Sequence, residues 1–242
     1  MAPRQCPLST RRFALRTYLL ALVLPSALAL GCSSTSSSQL TTDQIKARFR
    51  VTENATDGKG YAGASFERAG SITAVKLEGQ DKVVFLTDQE PERGMDWMVS
   101  GYIQDLPRRD RNLVTFRFQR EGQLIESKVT PMRKVDTTVP ATVSRAGGLK
   151  LQWSNPVPKA RIVVTSFGCA GASASSLVVE TEDTGSLVMP PEKLTVNAPP
   201  AAGECVSLRI ARRLQGEVGA GFAAGSEIYT EYEQTEKLTV LP

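Results

Sequence analysis

Apolar residues return at every second position through much of the chain. From Asn112 to Arg120, Val114, Phe116 and Phe118 alternate with Thr115, Arg117 and Gln119, which gives an extended segment one apolar and one polar face. The same rhythm returns in Val75 and Leu77, in Leu149, Leu151 and Trp153, in Ile162 and Val164, and in Val206, Leu208 and Ile210. No long apolar stripe at helical spacing competes with it. Turn-forming pairs separate these segments: Asp57-Gly58, Glu121-Gly122, Gly147-Gly148, Asn155-Pro156 and Thr184-Gly185, at intervals that suit the strands of a sandwich. The pattern predicts an all-β protein of packed antiparallel sheets, with a closed barrel as the alternative.

Two shifts in composition divide the chain. Ser33 to Gln39 is polar and of low complexity, which suits a flexible tether. Asp136, Thr137, Thr138, Val139 and Pro140 end one set of alternations before another begins. The expected organisation is a leader over residues 1–31, a tether over 32–40, and two tandem antiparallel β-sandwich domains over 41–138 and 139–242. Trp153 is expected to pack in the second core.

The leader has three parts. Arg4, Arg11, Arg12 and Arg16 precede an apolar stretch from Leu19 to Leu30, and Gly31 and Cys32 follow. The stretch falls short of the roughly 20 residues that a stable membrane span needs. This arrangement resembles the type II signal peptide of bacterial lipoproteins, although Ala29 and Leu30 stand where that family prefers Leu and a small residue. The resemblance implies that the Cys32 sulfur receives a diacylglyceryl group, that cleavage occurs just before it, and that the protein is then held on a membrane by its acyl chains. Ser33 after the cysteine resembles lipoproteins sorted to the outer membrane. Arg11 and Arg12 resemble a twin-arginine export signal, with Ala14 in place of its Phe. An ordinary secretory signal and an N-terminal membrane helix are the alternatives. Residues 140–242, with Trp153 on an early strand and the apolar stretch around Val206 much later, resemble an immunoglobulin or fibronectin type III-like sandwich, and the whole layout is similar to lipoproteins with tandem β-domains.

Charge and cysteine usage sharpen this picture. The net charge of +4 equals the four arginines of the leader, so the remainder is balanced and its net charge points to no nucleic-acid partner. With Cys6 removed and Cys32 acylated, Cys169 and Cys205 remain in an oxidising compartment, where they are expected to form a disulfide. A reactive or metal-binding thiol pair is the alternative, and it lacks both CxxC spacing and histidine. The absence of histidine removes the usual general base and the commonest zinc and haem ligand. No catalytic residue, metal or cofactor is expected.

Three local clusters remain. Glu180, Glu182 and Asp183 precede Thr184-Gly185 and are expected in a solvated turn, with calcium binding or carboxylate catalysis as alternatives. Met95, Trp97 and Met98 beside Pro91, Arg93 and Gly94 combine apolar anchors with turn residues, as a partner-binding loop would, unless Trp97 and Val99 begin a strand and face the core. Arg108, Arg109 and Arg111 around Asp110 suit an anionic glycan or lipid headgroup, or form a solvated hairpin tip after Pro107. Together these features predict a non-catalytic binding, adhesion or structural module of the cell envelope, anchored by lipid in the outer membrane and facing a protein or glycan partner. One alternative is an accessory lipoprotein that assists the assembly of another envelope protein. Another is a hydrolase using carboxylates or a Ser-Lys pair, for which the chain lacks an SxxK motif and a nucleophile elbow.

Overall fold

The alternating segments do form strands, and the computed structural model describes residues 34–55, 58–98, 101–106, 112–132, 135–144, 146–169, 177–194 and 203–241. In the first half the strands are β1 (Thr35–Ser36), β2 (Ile45–Asn54), β3 (Gly60–Arg68), β4 (Val75–Lys76), β5 (Lys82–Thr87), β6 (Arg93–Gly94), β7 (Asp96–Met98), β8 (Gly101–Leu106), β9 (Val114–Arg120) and β10 (Gln123–Val129). They are followed by β11 (Thr137–Thr138), β12 (Thr142–Ser144), β13 (Leu149–Trp153), β14 (Arg161–Gly168), β15 (Leu177–Glu182), β16 (Ser186–Met189), β17 (Cys205–Gln215) and β18 (Glu227–Leu241). The turn chemistry reads directly from the sequence. Glu121 and Gly122 both take positive φ, 49° and 77°, as a tight hairpin between β9 and β10 demands.

One long sheet organises the molecule. Its strands run in the order β15-β14-β17-β18-β2-β3-β8-β7, with β12 also paired to β18, so it stays open at β15 and β7 and closes no barrel. Two smaller sheets, β10-β9-β5-β6 and β11-β13-β16, supply the other layers of an all-β sandwich architecture. The long sheet is antiparallel except at β18, whose Glu227–Glu233 stretch pairs in parallel with Arg48–Asn54 of β2 and whose end pairs in parallel with β12.

Two hydrophobic cores lie on the same face of this sheet. The first joins Ile45, Ala47, Phe49 and Val51 of β2 with Phe85, Phe116 and Phe118 from the β10-β9-β5-β6 sheet. The β17–β18 connection closes its side. Phe222 packs 5.8 Å from Phe49 and 5.2 Å from Phe118, ring centre to ring centre, and the chain passes so close to β10 that a Cβ at Gly216 or Gly219 would overlap its backbone. The second core joins Leu149, Leu151 and Trp153 of β13 with Ile162 and Val164 of β14 and Leu208 and Ile210 of β17. The division falls between Val129 and Met132, yet β18 serves both sides: Ile228 belongs to the first core and Tyr232, Leu238 and Val240 to the second.

Within the stretch assigned above to a tether, the chain is docked from Thr35 onward. Thr35 pairs with Val75 and Ser36 with Lys76, Leu40 is buried in the first core, and the buried Arg120 guanidinium donates to the Ser37 and Leu40 carbonyls.

Asp183 corrects the expectation of a solvated turn. Its side chain is fully buried, lies 2.9 Å from Nε of the equally buried Arg212, and accepts hydrogen bonds from the indole N–H of Trp153 and, at 2.8 Å, the backbone N–H of Val157. The cause is Arg212 on the inner face of β17: a guanidinium enclosed by the second core requires an anion beside it, and Asp183 at the end of β15 supplies one. Glu180 and Glu182 remain exposed, as expected. Cys169 and Cys205 are disulfide-bonded across the ends of β14 and β17, with Cα atoms 5.5 Å apart.

Two stability measurements follow. Asp183→Asn leaves the Arg212 charge buried and uncompensated, and urea unfolding should show a loss of about 3–5 kcal/mol. Cys205→Ser should cost about 3–4 kcal/mol through the lost loop constraint, read from the same titration under non-reducing conditions.

Candidate contact face

Because the long sheet buries one face in both cores, the alternate residues of its strands share the opposite face. The registers place Glu182, Arg161, Arg213, Glu231, Thr52, Tyr61 and Asp105 in one row from β15 to β8. The next row holds Gln215, Tyr229, Arg50, Gly63, Ile103 and Asp96. Gly63 leaves a gap in the side-chain layer between Arg50 and Ile103, and a Cβ there would meet nothing closer than 3.9 Å.

Opposite charges interlock across this face. Arg213 pairs with Glu231 at 3.2 Å, Arg161 with Glu180 at 2.7 Å, Arg48 with Glu227 and Arg209 with Glu233. The Arg213 guanidinium also stands 4.6 Å above the Tyr229 ring. The carboxylates lie deeper than their partners: the Glu231 side chain is 3% exposed and that of Glu233 13%, against 37% and 43% for Arg213 and Arg209. Cross-strand pairs of this kind are worth about 0.2–1 kcal/mol each, so the layer fixes where charges stand more than it stabilises the fold. Burial pushes the Glu233 carboxyl above its ordinary value of 4.5; Arg209 and Arg50 pull it down, while Glu231 on the same face pushes it up.

The apolar loop divides between core and surface. Met95 is buried in the first core. Trp97 is half-buried and packs edge-on against Tyr102 at 5.0 Å, on the side of β8 that faces the core. Tyr102 is itself held by the Leu77 backbone N–H, which donates to its hydroxyl at 2.8 Å. Only Met98 of the three, 58% exposed, reaches the outer face, where it shares the β7–β8 edge with Asp96 and Ile103. Arg108, Arg109, Arg111, Val99 and Cys32 lie outside the described residues.

The remaining residues of the face, Arg50, Tyr61, Ile103, Tyr229 and Glu231, come from strands whose polar alternates carry no motif. For Tyr229 and Glu231 the signal in the sequence is the run Glu227 to Glu233, whose alternate positions Glu227, Tyr229, Glu231 and Glu233 form one polar and aromatic row at β spacing.

A groove of about 550 Å³ lies at another end of the first core, between the turns at Gly79–Lys82 and Arg120–Leu124. The Arg120 and Asp81 side chains at this groove are buried and 3.7 Å apart, and Arg120 is already engaged with the N-terminal segment. Among the described residues no group of three or more His, Cys, Asp or Glu side chains is placed to hold a metal ion.

No protein-family model and no curated protein matches the chain. A solved chain titled "Cytokine receptor complex - Crystal form 1A" is similar over 81% of this chain and 95% of its own, at 9% identity and a TM-score of 0.32, a level of likeness that carries no argument.

The raised Glu233 carboxyl has a sign that unfolding experiments can read. A carboxyl titrating higher in the folded state contributes stability that is complete below its unfolded value and lost as pH rises through its folded value. Between about pH 4 and 7 the wild type should therefore lose stability relative to Glu233→Gln; a flat or rising difference in urea titrations would show that its arginine partners outweigh burial.

Proposed function

We propose that this chain is a lipid-anchored envelope protein, held through Cys32 in the outer membrane, that works by contact with a protein or glycan partner and turns nothing over. One observation carries the contact reading: the β2-β3-β8-β7 end of the outer face offers exposed Met98, half-buried Ile103 and Tyr61, and exposed Arg50, Asp96 and Asp105 together. Apolar and aromatic anchors among charges are the composition from which protein interfaces draw their affinity, and a sheet face presents them without ordering a loop. The anchoring part rests on the arginine-rich, apolar leader that ends in Gly31-Cys32.

Chemical crosslinking in native envelopes tests this. Wild type and a Lys150→Glu control on the β11-β13-β16 sheet should yield the same crosslinked species. Asp105→Lys combined with Met98→Glu should lower its yield about tenfold, the loss of a modest hot spot, while the unfolding midpoint stays unchanged. In parallel, Cys32→Ser should move the protein from the membrane to the soluble fraction. An undiminished crosslink in the double variant would remove the face from the proposal, and a membrane-bound Cys32→Ser protein would remove the anchor.

A further inference from the structure

We infer that the turn Ala69–Thr73 is a membrane contact, seated in the headgroup layer of the bilayer that holds the Cys32 lipid. It rests on the lipid anchor proposed above. Ile72 at the tip of this turn is 97% exposed, whereas the next most exposed large apolar side chain among the described residues, Val188, is 65% exposed. An isolated side chain so exposed would mean little; its position relative to the anchor gives it meaning.

The parallel pairing of β1 with β4 sets that position. Thr35 lies opposite Val75 and its N–H donates to the Ala74 carbonyl at 2.8 Å, so the chain before Thr35 meets the fold at the end of β4 that continues into Thr73 and Ile72. This docking is secured by Arg120 on the Ser37 and Leu40 carbonyls, by burial of Leu40 and by the hydrogen bond from the Glu78 N–H to the Ser37 hydroxyl at 3.0 Å. Only Ser33 and Ser34 stand between Cys32 and Thr35. Three Cα steps bound the separation at about 11 Å, whatever path they take. The polar layer on each side of a bilayer is itself about 5–7 Å thick. A lipidated Cys32 therefore keeps this end of the fold at the membrane surface.

The turn also suits that environment chemically. Ala69, Gly70, Ser71, Ile72 and Thr73 carry no charge, so the tip enters the headgroup layer without dehydrating an ion. The backbone N–H groups of Arg68, Ala69, Ser71 and Thr73 are all hydrogen-bonded within the protein, Gly70 supplying the left-handed residue at φ 76° that lets the chain reverse. Exposed Arg68 and Lys76 flank the tip and can meet lipid phosphates, although Glu67 and Glu78 nearby hold the local charge close to neutral. The apolar tip, rather than net charge, thus decides the contact.

The full-length lipoprotein allows a direct test. With Cys169 and Cys205 bonded, Cys32 acylated and Cys6 removed, Ile72→Cys introduces a single free thiol, and Val188→Cys on β16 is the matched control. Each is labelled with a polarity-sensitive fluorophore and reconstituted in phosphatidylethanolamine–phosphatidylglycerol vesicles that contain brominated lipid. Intact mass first establishes whether Cys32 is acylated. In acylated protein the label at position 72 should be quenched at least about threefold more than at position 188 and should emit further to the blue, as a probe in the headgroup layer does. Equal quenching at the two positions in acylated protein overturns this inference and leaves the anchor standing. An unmodified Cys32 in membrane-extracted protein overturns the anchor, and the inference with it.

Discussion

The parallel pairing of β18 with β2 is the contact on which the rest of the architecture depends. β18 spans fifteen residues, about 50 Å of extended chain, and its two edges do different work. One edge is occupied by β17 from Tyr229 to Thr239. The other is divided between β2 at Glu227–Glu233 and β12 at Thr239–Leu241. Without the β2 pairing, each half of the chain would present an open sheet edge to water, and the first core would lose Ile228 and the Phe222 connection that enters beside it. Joined, the two cores lie on one continuous sheet, so a residue near the C-terminus completes a core built mostly by residues 40–129.

A sheet that buries one face must place its charges on the other, and Arg212 is the exception that shows the cost. On the outer face, Arg209 and Arg213 keep more than a third of their side chains in water and pair with deeper carboxylates. Arg212, between them in sequence, points inward by the alternation of the strand and is 1% exposed. Burying it without an anion would cost several kcal/mol, which explains why Asp183 leaves the exposed acidic cluster it belongs to in sequence and turns inside. Trp153 and Val157 then donate to the same carboxylate, so one buried ion pair orients the indole of β13, the β13–β14 connection and the end of β15.

Alternation alone identified most strands that pack with a purely apolar face: Val114 to Arg120, Leu149 to Trp153, and the central parts of β14 and β17 lie where their periods put them. The core position of Trp153 and the Cys169–Cys205 bond were legible for equally local reasons, one from size and hydrophobicity, the other from counting thiols in an oxidising compartment. What local reading misses has a common cause. β18 carries Tyr, Thr, Gln and Glu over Tyr229 to Glu236, between Ile228 and Leu238, because it lies at the centre of a sheet where the outer-face Tyr229 and Glu231 are buried as well as the inner-face Thr230 and Tyr232. Asp183 belongs to a three-residue acidic cluster in sequence, and only the inward Arg212, twenty-nine positions later, separates it from its neighbours. Met95 and Trp97 look like loop anchors until β7 pairs with β8 and turns Trp97 onto Tyr102, which leaves Met98 at the surface.

The same register relates the two surfaces proposed to act. Ile45 of β2 lies opposite Arg68 of β3, so both strands meet the Ala69–Thr73 turn at one end and run away from it over about 30 Å. Lys46 and Glu67 are nearest that end on the outer face, then Arg48 and Ser65, then Arg50 and Gly63, then Thr52 and Tyr61. With the turn at a bilayer, these rows stand at increasing height above it, and the face looks sideways along the membrane rather than toward or away from it. A contact surface in that orientation favours partners that share the membrane plane over ligands arriving from bulk solvent, because docking between two anchored molecules is a search in two dimensions with much of its orientational cost already met. The interlocked Arg–Glu layer borders the contact end through Arg48 of β2 and Glu227 of β18, so a partner reaching across that border would meet charges already fixed in register. Every side chain already held by a cross-strand partner is one fewer to order when a neighbour arrives.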